Sequence, residues 1–196
     1  DRLGMAATAA IEFSPAMAKL TAEAFVQRVL VEGLKIAGLC VGYDFRFGRE
    51  RRGDTDFLRA LAWEYRFWLE VVPPVSVDGL VVSSRMIRAL LAEGNVEEAR
   101  RFLGRPYCLA GEVQPGAGRG GELGFATANI PAPAYTPLRE GVYAGRLLVR
   151  GVFHDALLNL GRAPTFGEGE RRLEVHIPGW KVPLYGEQVT AYFLER

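Results

Sequence analysis

The 196 residues are poor in the groups that most often announce a function. Only two cysteines are present, Cys40 and Cys108, far apart and each inside an apolar run. That excludes a disulfide framework, and both read as buried thiols in a reducing compartment, by default the cytoplasm. The two histidines, His154 and His176, have no partners at metal-ligand spacing, so a zinc site of the usual kind is not expected. Charge of one sign is missing as well. Lys and Arg number 24 against 23 Asp and Glu, a formal net charge of +1. A general nucleic-acid binder would show a clustered basic excess, so no nucleic-acid partner is expected. No apolar run reaches the roughly 18 residues of a spanning helix, and the start has no basic stretch leading into an apolar core. Neither a membrane nor a secretory route is therefore expected, and nothing in the pattern assigns an oligomeric state. Internal repeats, low-complexity tracts and the Gly-x-x-x-x-Gly-Lys-Ser/Thr order of a P-loop are all absent.

What is present is glycine in one place. The stretch Gly111 to Asn129 reads GEVQPGAGRGGELGFATAN. Glycine lets the backbone bend freely and approach a ligand closely, and successive N–H groups in such a loop can point at phosphate oxygens. Thr127 and Asn129 then supply neutral oxygens of the kind a hard cation such as Mg²⁺ accepts. On composition alone a glycine-rich hairpin between two strands is the favoured reading of the stretch.

The rest of the chain divides by pattern. Thr21 is placed to cap a helix through Leu30, which Gly33 closes. Ile36 to Val41 is a short apolar run suited to a buried parallel strand, Asp54 to Tyr65 is helical, and Phe67 to Val72 is a second apolar run. Strand, helix and strand in this order imply a parallel α/β sheet, with a ligand site beyond the carboxyl end of the first strand, at Gly42 to Gly48. Ser84 is expected to cap a helix over Arg85 to Ala92. Asn95 with Glu98 has capping-box spacing and opens Val96 to Leu103, which Gly104 stops. After Arg105-Pro106 only short strands follow: Tyr107 to Val113, Val142 to Val149, Val152 to Leu160, Leu173 to Ile177 and Val189 to Leu194. Such spacing indicates a small antiparallel barrel or sandwich.

Several motifs in a fixed order carry a family likeness. They are Val41-Gly42-Tyr43-Asp44-Phe45-Arg46-Phe47-Gly48 with Gly53-Asp54, and Val82-Ser83-Ser84 with Ile87-Arg88. Leu103 to Tyr107, the Gly116 to Asn129 loop, Asn159-Leu160-Gly161 with Pro164-Thr165-Phe166, Leu173-Glu174-Val175-His176 and Leu184-Tyr185-Gly186 follow. In these residues the chain resembles the prokaryotic bifunctional riboflavin kinase/FAD synthetase family. The resemblance implies an α/β plus all-β chain. Residues 1–105 would be an incomplete Rossmann-like FMN adenylyltransferase domain, and residues 106–196 a six-stranded antiparallel riboflavin-kinase-type β-barrel. It implies ATP-dependent phosphorylation of riboflavin to FMN and adenylylation of FMN to FAD. ATP is then a co-substrate, Mg²⁺ the metal, and riboflavin, FMN and ATP the partners.

Residue by residue, the resemblance makes Glu174 the general base that takes the riboflavin 5′-hydroxyl proton. Gly116, Gly118, Arg119, Gly120 and Gly124 would cover the nucleotide, with Thr127 and Asn129 holding the metal and the phosphates. Asp44, Phe45, Ser83, Ser84 and Arg88 would line the flavin-nucleotide pocket of the first domain. Strand alternation adds that Glu174 and His176 share one face while Leu173, Val175 and Ile177 share the other. Three departures from the family pattern stand out. The His-x-Gly-His motif of the adenylylating half is missing, Arg85 replaces the third hydroxyl of Ser-Ser-Thr, and Ala126 replaces Pro in the kinase motif. The N-terminal strand and the C-terminal helix of the family are not in the sequence either. A second activity left incomplete is expected, and the rival reading is a non-catalytic flavin- or nucleotide-binding protein that keeps the fold.

Overall fold

Helix capping and hydrophobic alternation account for the first unit, residues 1–75, in the computed structural model, which describes residues 4–115, 127–162, 171–180 and 182–196. After a single turn, α1 (Pro15–Ala18), the Thr21 hydroxyl accepts the Ala24 amide at 3.1 Å and starts α2 (Ala22–Phe25). The helix runs on as π-helical turns over Val26–Gly33. Strand β1 (Gly38–Gly42), helix α3 (Thr55–Tyr65) and strand β2 (Trp68–Val72) follow. The two strands are parallel, with Gly38 opposite Trp68 and Gly42 opposite Val72. Val26, Leu30, Val41, Phe47, Leu58, Leu61, Ala62 and Phe67 form one buried cluster between the sheet and the helices. The strand–helix–strand order expected from the apolar runs is thus the observed one.

The expectation that both cysteines are buried is not met. Cys40 is exposed and Cys108 is half-buried. β1 buries Val41 against the helices while Cys40 points to the opposite face, so the apolar run is amphipathic in use although not in composition.

The second unit, residues 76–196, opens with a two-stranded hairpin, β3 (Ser76–Val77) and β4 (Leu80–Val81). Its turn residues Asp78 and Gly79 both have positive φ, as a two-residue hairpin requires. Helices α4 (Ser84–Glu93) and α5 (Val96–Leu103) end on left-handed Gly94 and Gly104. Asn95 Oδ1 accepts the Glu98 amide at 3.2 Å, the capping geometry read from the spacing. The cap of α4 is Ser83, not Ser84: the Ser83 hydroxyl accepts the Met86 amide at 3.2 Å, which makes Ser84 the first helical residue.

Six strands complete the unit: β5 (Tyr107–Glu112), β6 (Thr127–Pro131), β7 (Gly141–Val149), β8 (Val152–Arg162), β9 (Arg171–His176) and β10 (Gln188–Glu195). They form one sheet in the order β5-β10-β7-β8-β9-β6, with every pairing antiparallel. The two edges meet. Gln114, just past β5, bridges Asn129 of β6, its amide donating to the Asn129 carbonyl at 2.8 Å. A Cβ on Gly111 of β5 would come within 2.7 Å of Ile130 Cγ2 of β6, which shows how closely the edges approach. The sheet is therefore closed as a barrel.

Leu109, Ile130, Tyr143, Leu147, Leu158, Leu173, Val175, Ala191 and Phe193 fill its interior. Leu91, Val96 and Ala99 of α4 and α5 belong to the same buried cluster. The change of character at residue 105 is a change of secondary structure, whereas the division into compact units falls between Val75 and Ser76, because these two helices spend their apolar faces on the barrel.

Candidate active site

Alternation along β9 decides where Glu174 points. Leu173 and Val175 are fully buried, while Glu174 is exposed on the outer face, which Arg172 and His176 share. On β6 the same rule sends Ala128 and Ile130 into the core and leaves Thr127 and Asn129 on the outer face. The antiparallel register then pairs Thr127 with His176 and Asn129 with Glu174. Directly opposite residues on one face of an antiparallel pair lie about 4.5–5.5 Å apart at Cβ. Two neutral oxygen donors and one carboxylate are thus gathered on adjacent strands. Thr127 is exposed, whereas Asn129, at 8% exposure, is one of the few buried polar side chains.

The row continues one strand further. Asn159 of β8 is the register partner of Glu174 from the other side, and its Nδ2 donates to Glu174 Oε2 at 3.5 Å. Asn129, Glu174 and Asn159 therefore stand side by side on β6, β9 and β8. Reading the sequence assigned no role to Asn159. The available signals were its place in the Asn159-Leu160-Gly161 motif and its polar position between Leu158 and Leu160, both buried, on an alternating strand.

Such a row presents oxygen ligands and a potential base to one side of the barrel. Thr127 and Asn129 fit a hard divalent cation by donor type, and the neighbouring carboxylate adds to that fit. Among the described residues no cluster of three or more His, Cys, Asp and Glu side chains is placed to hold a metal. The glycine loop positions Gly116, Gly118, Arg119, Gly120 and Gly124, with Ala126 and the Pro164-Thr165-Phe166 motif, lie outside the described residues. Arg162 Nε lies 3.4 Å from Glu140 Oε1, an ion pair at the end of β8. Tyr143 is barrel core: its ring meets Phe193 edge-on at 5.3 Å, and its hydroxyl donates to the Arg139 carbonyl at 2.6 Å. Burial raises the Tyr143 phenol above its ordinary pKa.

The first-domain positions fall in two units, each with its own local logic. Asp44 is exposed and Phe45 half-buried in the loop that leaves the carboxyl end of β1. Much of the motif around them is structural. Phe45 stacks on Phe47 at 5.4 Å, and Phe47 exchanges backbone hydrogen bonds with Gly53 at 3.1 and 2.9 Å. Gly48 has positive φ, and a Cβ there would lie 2.5 Å from the Ala22 nitrogen. Asp54 caps α3, accepting the Phe57 amide at 2.9 Å, and pairs with Arg46 at 2.8 Å. The Phe57 amide, and after it Arg46, holds the Asp54 carboxyl below its usual range. In the second unit Ser83, Ser84 and Arg88 are all exposed at the start of α4.

Comparison with known proteins matches two separate stretches of the chain, whose bounds differ from those of the compact units. Residues 103–196 match the riboflavin kinase family model, and residues 1–86 match the FAD synthetase model. The bifunctional riboflavin kinase/FMN adenylyltransferase of Pseudomonas fluorescens is 36% identical over 95% of this chain and 60% of its own length. That of Escherichia coli K12 is 34% identical over 91% of this chain and 58% of its own length. Over nearly its whole length the chain is similar to the bifunctional riboflavin kinase/FMN adenylyltransferases. It spans about 60% of the length of these curated relatives.

A solved structure from Streptococcus pneumoniae, described as a macrolide-efflux protein, superposes with a TM-score of 0.71 at 31% identity, over 94% of this chain and 60% of that one. Among the described residues no helix is long and apolar enough to cross a membrane. Of the motifs that carry the likeness, Thr127-Ala128-Asn129 and Leu173-Glu174-Val175-His176 lie on the paired strands β6 and β9.

Proposed function

We propose that the barrel phosphorylates riboflavin to FMN with ATP, with Glu174 as general base and Thr127 and Asn129 as the oxygen ligands of Mg²⁺ and the ATP phosphates. The register that sets Asn129 opposite Glu174 carries this reading. Phosphoryl transfer asks for positioning, charge neutralisation and a group to receive the hydroxyl proton. Glu174 takes the proton of the riboflavin 5′-hydroxyl as that oxygen bonds to the γ-phosphorus, and the bond to the bridging oxygen breaks to release ADP. A bound Mg²⁺ supplies charge neutralisation at the phosphates. Gly116, Gly118, Arg119, Gly120 and Gly124 form the cover over the nucleotide in this reading. Riboflavin, ATP and FMN are the partners, and a reducing cytoplasm is the setting.

Adenylylation of FMN to FAD belongs to the first half, with Asp44, Phe45, Ser83, Ser84 and Arg88 as its flavin-nucleotide positions. His154 and His176, the two histidines of the sequence, both lie in the barrel.

The test is ATP-dependent FMN formation by the chain and its Glu174→Gln and Thr127→Ala variants. Loss of a positioned base typically costs 10²–10⁴-fold. A loss of that size in Glu174→Gln, with a clear loss in Thr127→Ala, is expected. Unchanged turnover in both would overturn the assignment. Quenching of flavin fluorescence with no product from the unmodified chain would mark a binding protein instead.

A further inference from the structure

Glu174 has a lateral neighbour on each side, and the two differ in what they can do. Asn129 faces it from β6 and, in the reading above, is occupied with metal and phosphate. Asn159 faces it from β8. On its other side Asn159 is paired with Val142 of β7, which offers no acceptor to the amide. Within this row, the side-chain hydrogen-bond acceptor adjacent to Asn159 is the Glu174 carboxylate, and the Nδ2–Oε2 contact of 3.5 Å lies along that line. The backbone holding the two is fixed from below, because Leu158, Leu160, Leu173 and Val175, the inward neighbours of Asn159 and Glu174, are fully buried.

We propose that Asn159 is a positioning residue for the kinase reaction: it aims the Glu174 carboxylate at the substrate hydroxyl and itself touches neither substrate nor metal. The inference rests on Glu174 being the base. A carboxylate on an exposed strand face has several rotamers, and an amide donor on the adjacent strand selects the one whose second oxygen points away from the barrel. Hydrogen bonds of this kind are long in an unliganded site and tighten when substrate is bound. The contribution falls on the chemical step, since the geometry of the base affects proton removal and not the binding of riboflavin or ATP.

The experiment is a double-mutant cycle on the full chain, reading kcat and KM for riboflavin phosphorylation. Asn159→Leu is expected to lower kcat about 10-fold with KM for both substrates within about two-fold. Asn159→Ser, which keeps a short donor, is expected to recover part of that loss. In a Glu174→Gln background, adding Asn159→Leu is expected to cost nothing further, because the residue acts through the carboxylate. An equal loss from Asn159→Leu in both backgrounds would overturn the proposal while leaving Glu174 as the base. Full activity in Asn159→Leu would overturn it too. No loss from Glu174→Gln alone would instead remove the functional reading beneath it. Unfolding midpoints of all variants, expected to agree with the parent, separate aim from stability.

Discussion

Asp54 shows how one side chain can hold a loop and a helix at once. It accepts the Phe57 amide at the start of α3 and pairs with Arg46 across the turn after β1. Both contacts favour the charged form, so the folded-state carboxyl titrates below its ordinary pKa of 3.8. The stability it contributes is therefore present above the unfolded-state pKa and is lost as pH falls through the lower folded value. The Tm difference between the parent and Asp54→Ala is expected to be constant from neutral pH downward, then to shrink below about pH 4. Thermal unfolding followed against pH checks this. Glu174 stands at the other extreme: an exposed strand residue whose replacement by Gln is expected to alter turnover and leave the barrel's stability unchanged.

At the level of elements, the barrel is tolerant on its outer face and intolerant within. Gly145 of β7 is the clearest case. A Cβ there would lie 2.2 Å from the Tyr192 carbonyl oxygen and 2.5 Å from Leu158 Cδ1, one of them backbone that cannot swing aside. Gly145→Ala is expected to cost about 1–3 kcal/mol through overpacking, measured by denaturant unfolding.

Five of the six barrel strands were legible as short apolar runs between turns, and Arg150-Gly151, both at positive φ, closes β7 onto β8 as their spacing suggested. The sixth, β6, was not. TANIP has one strongly apolar residue, and its Thr and Asn read as turn chemistry. Its strand character comes from Ala128 and Ile130 meeting Val175 and Leu173, a long-range pairing that no local pattern records. The candidate site was legible only as a set of residue types. That Asn129 and Glu174 are opposite one another, and that Asn159 joins them, depends on register across strands distant in sequence.

The whole molecule parts between Val75 and Ser76, ahead of two helices that share a core with the barrel. Composition alone hides this, since α4 and α5 resemble the helices of the first unit, and only their buried partners tell which unit claims them. A fragment of residues 76–196 is expected to unfold cooperatively. A fragment of residues 106–196 removes Leu91, Val96 and Ala99, each buried side chain worth roughly 1.5–3 kcal/mol for the larger ones, and is expected to melt at least about 10 °C lower. Near-UV circular dichroism of the two fragments decides it; equal midpoints would return the boundary to residue 105.

The rung between Gln114 and Asn129 fastens the barrel shut at the very strand that bears the proposed oxygen ligands. A slip of one residue there would turn Thr127 and Asn129 into the oily interior and push Ala128 and Ile130 out to water. Closure thus inspects its own workmanship: a molecule that has sealed itself at this rung has, by the same act, turned Thr127 and Asn129 to the face on which Glu174 stands.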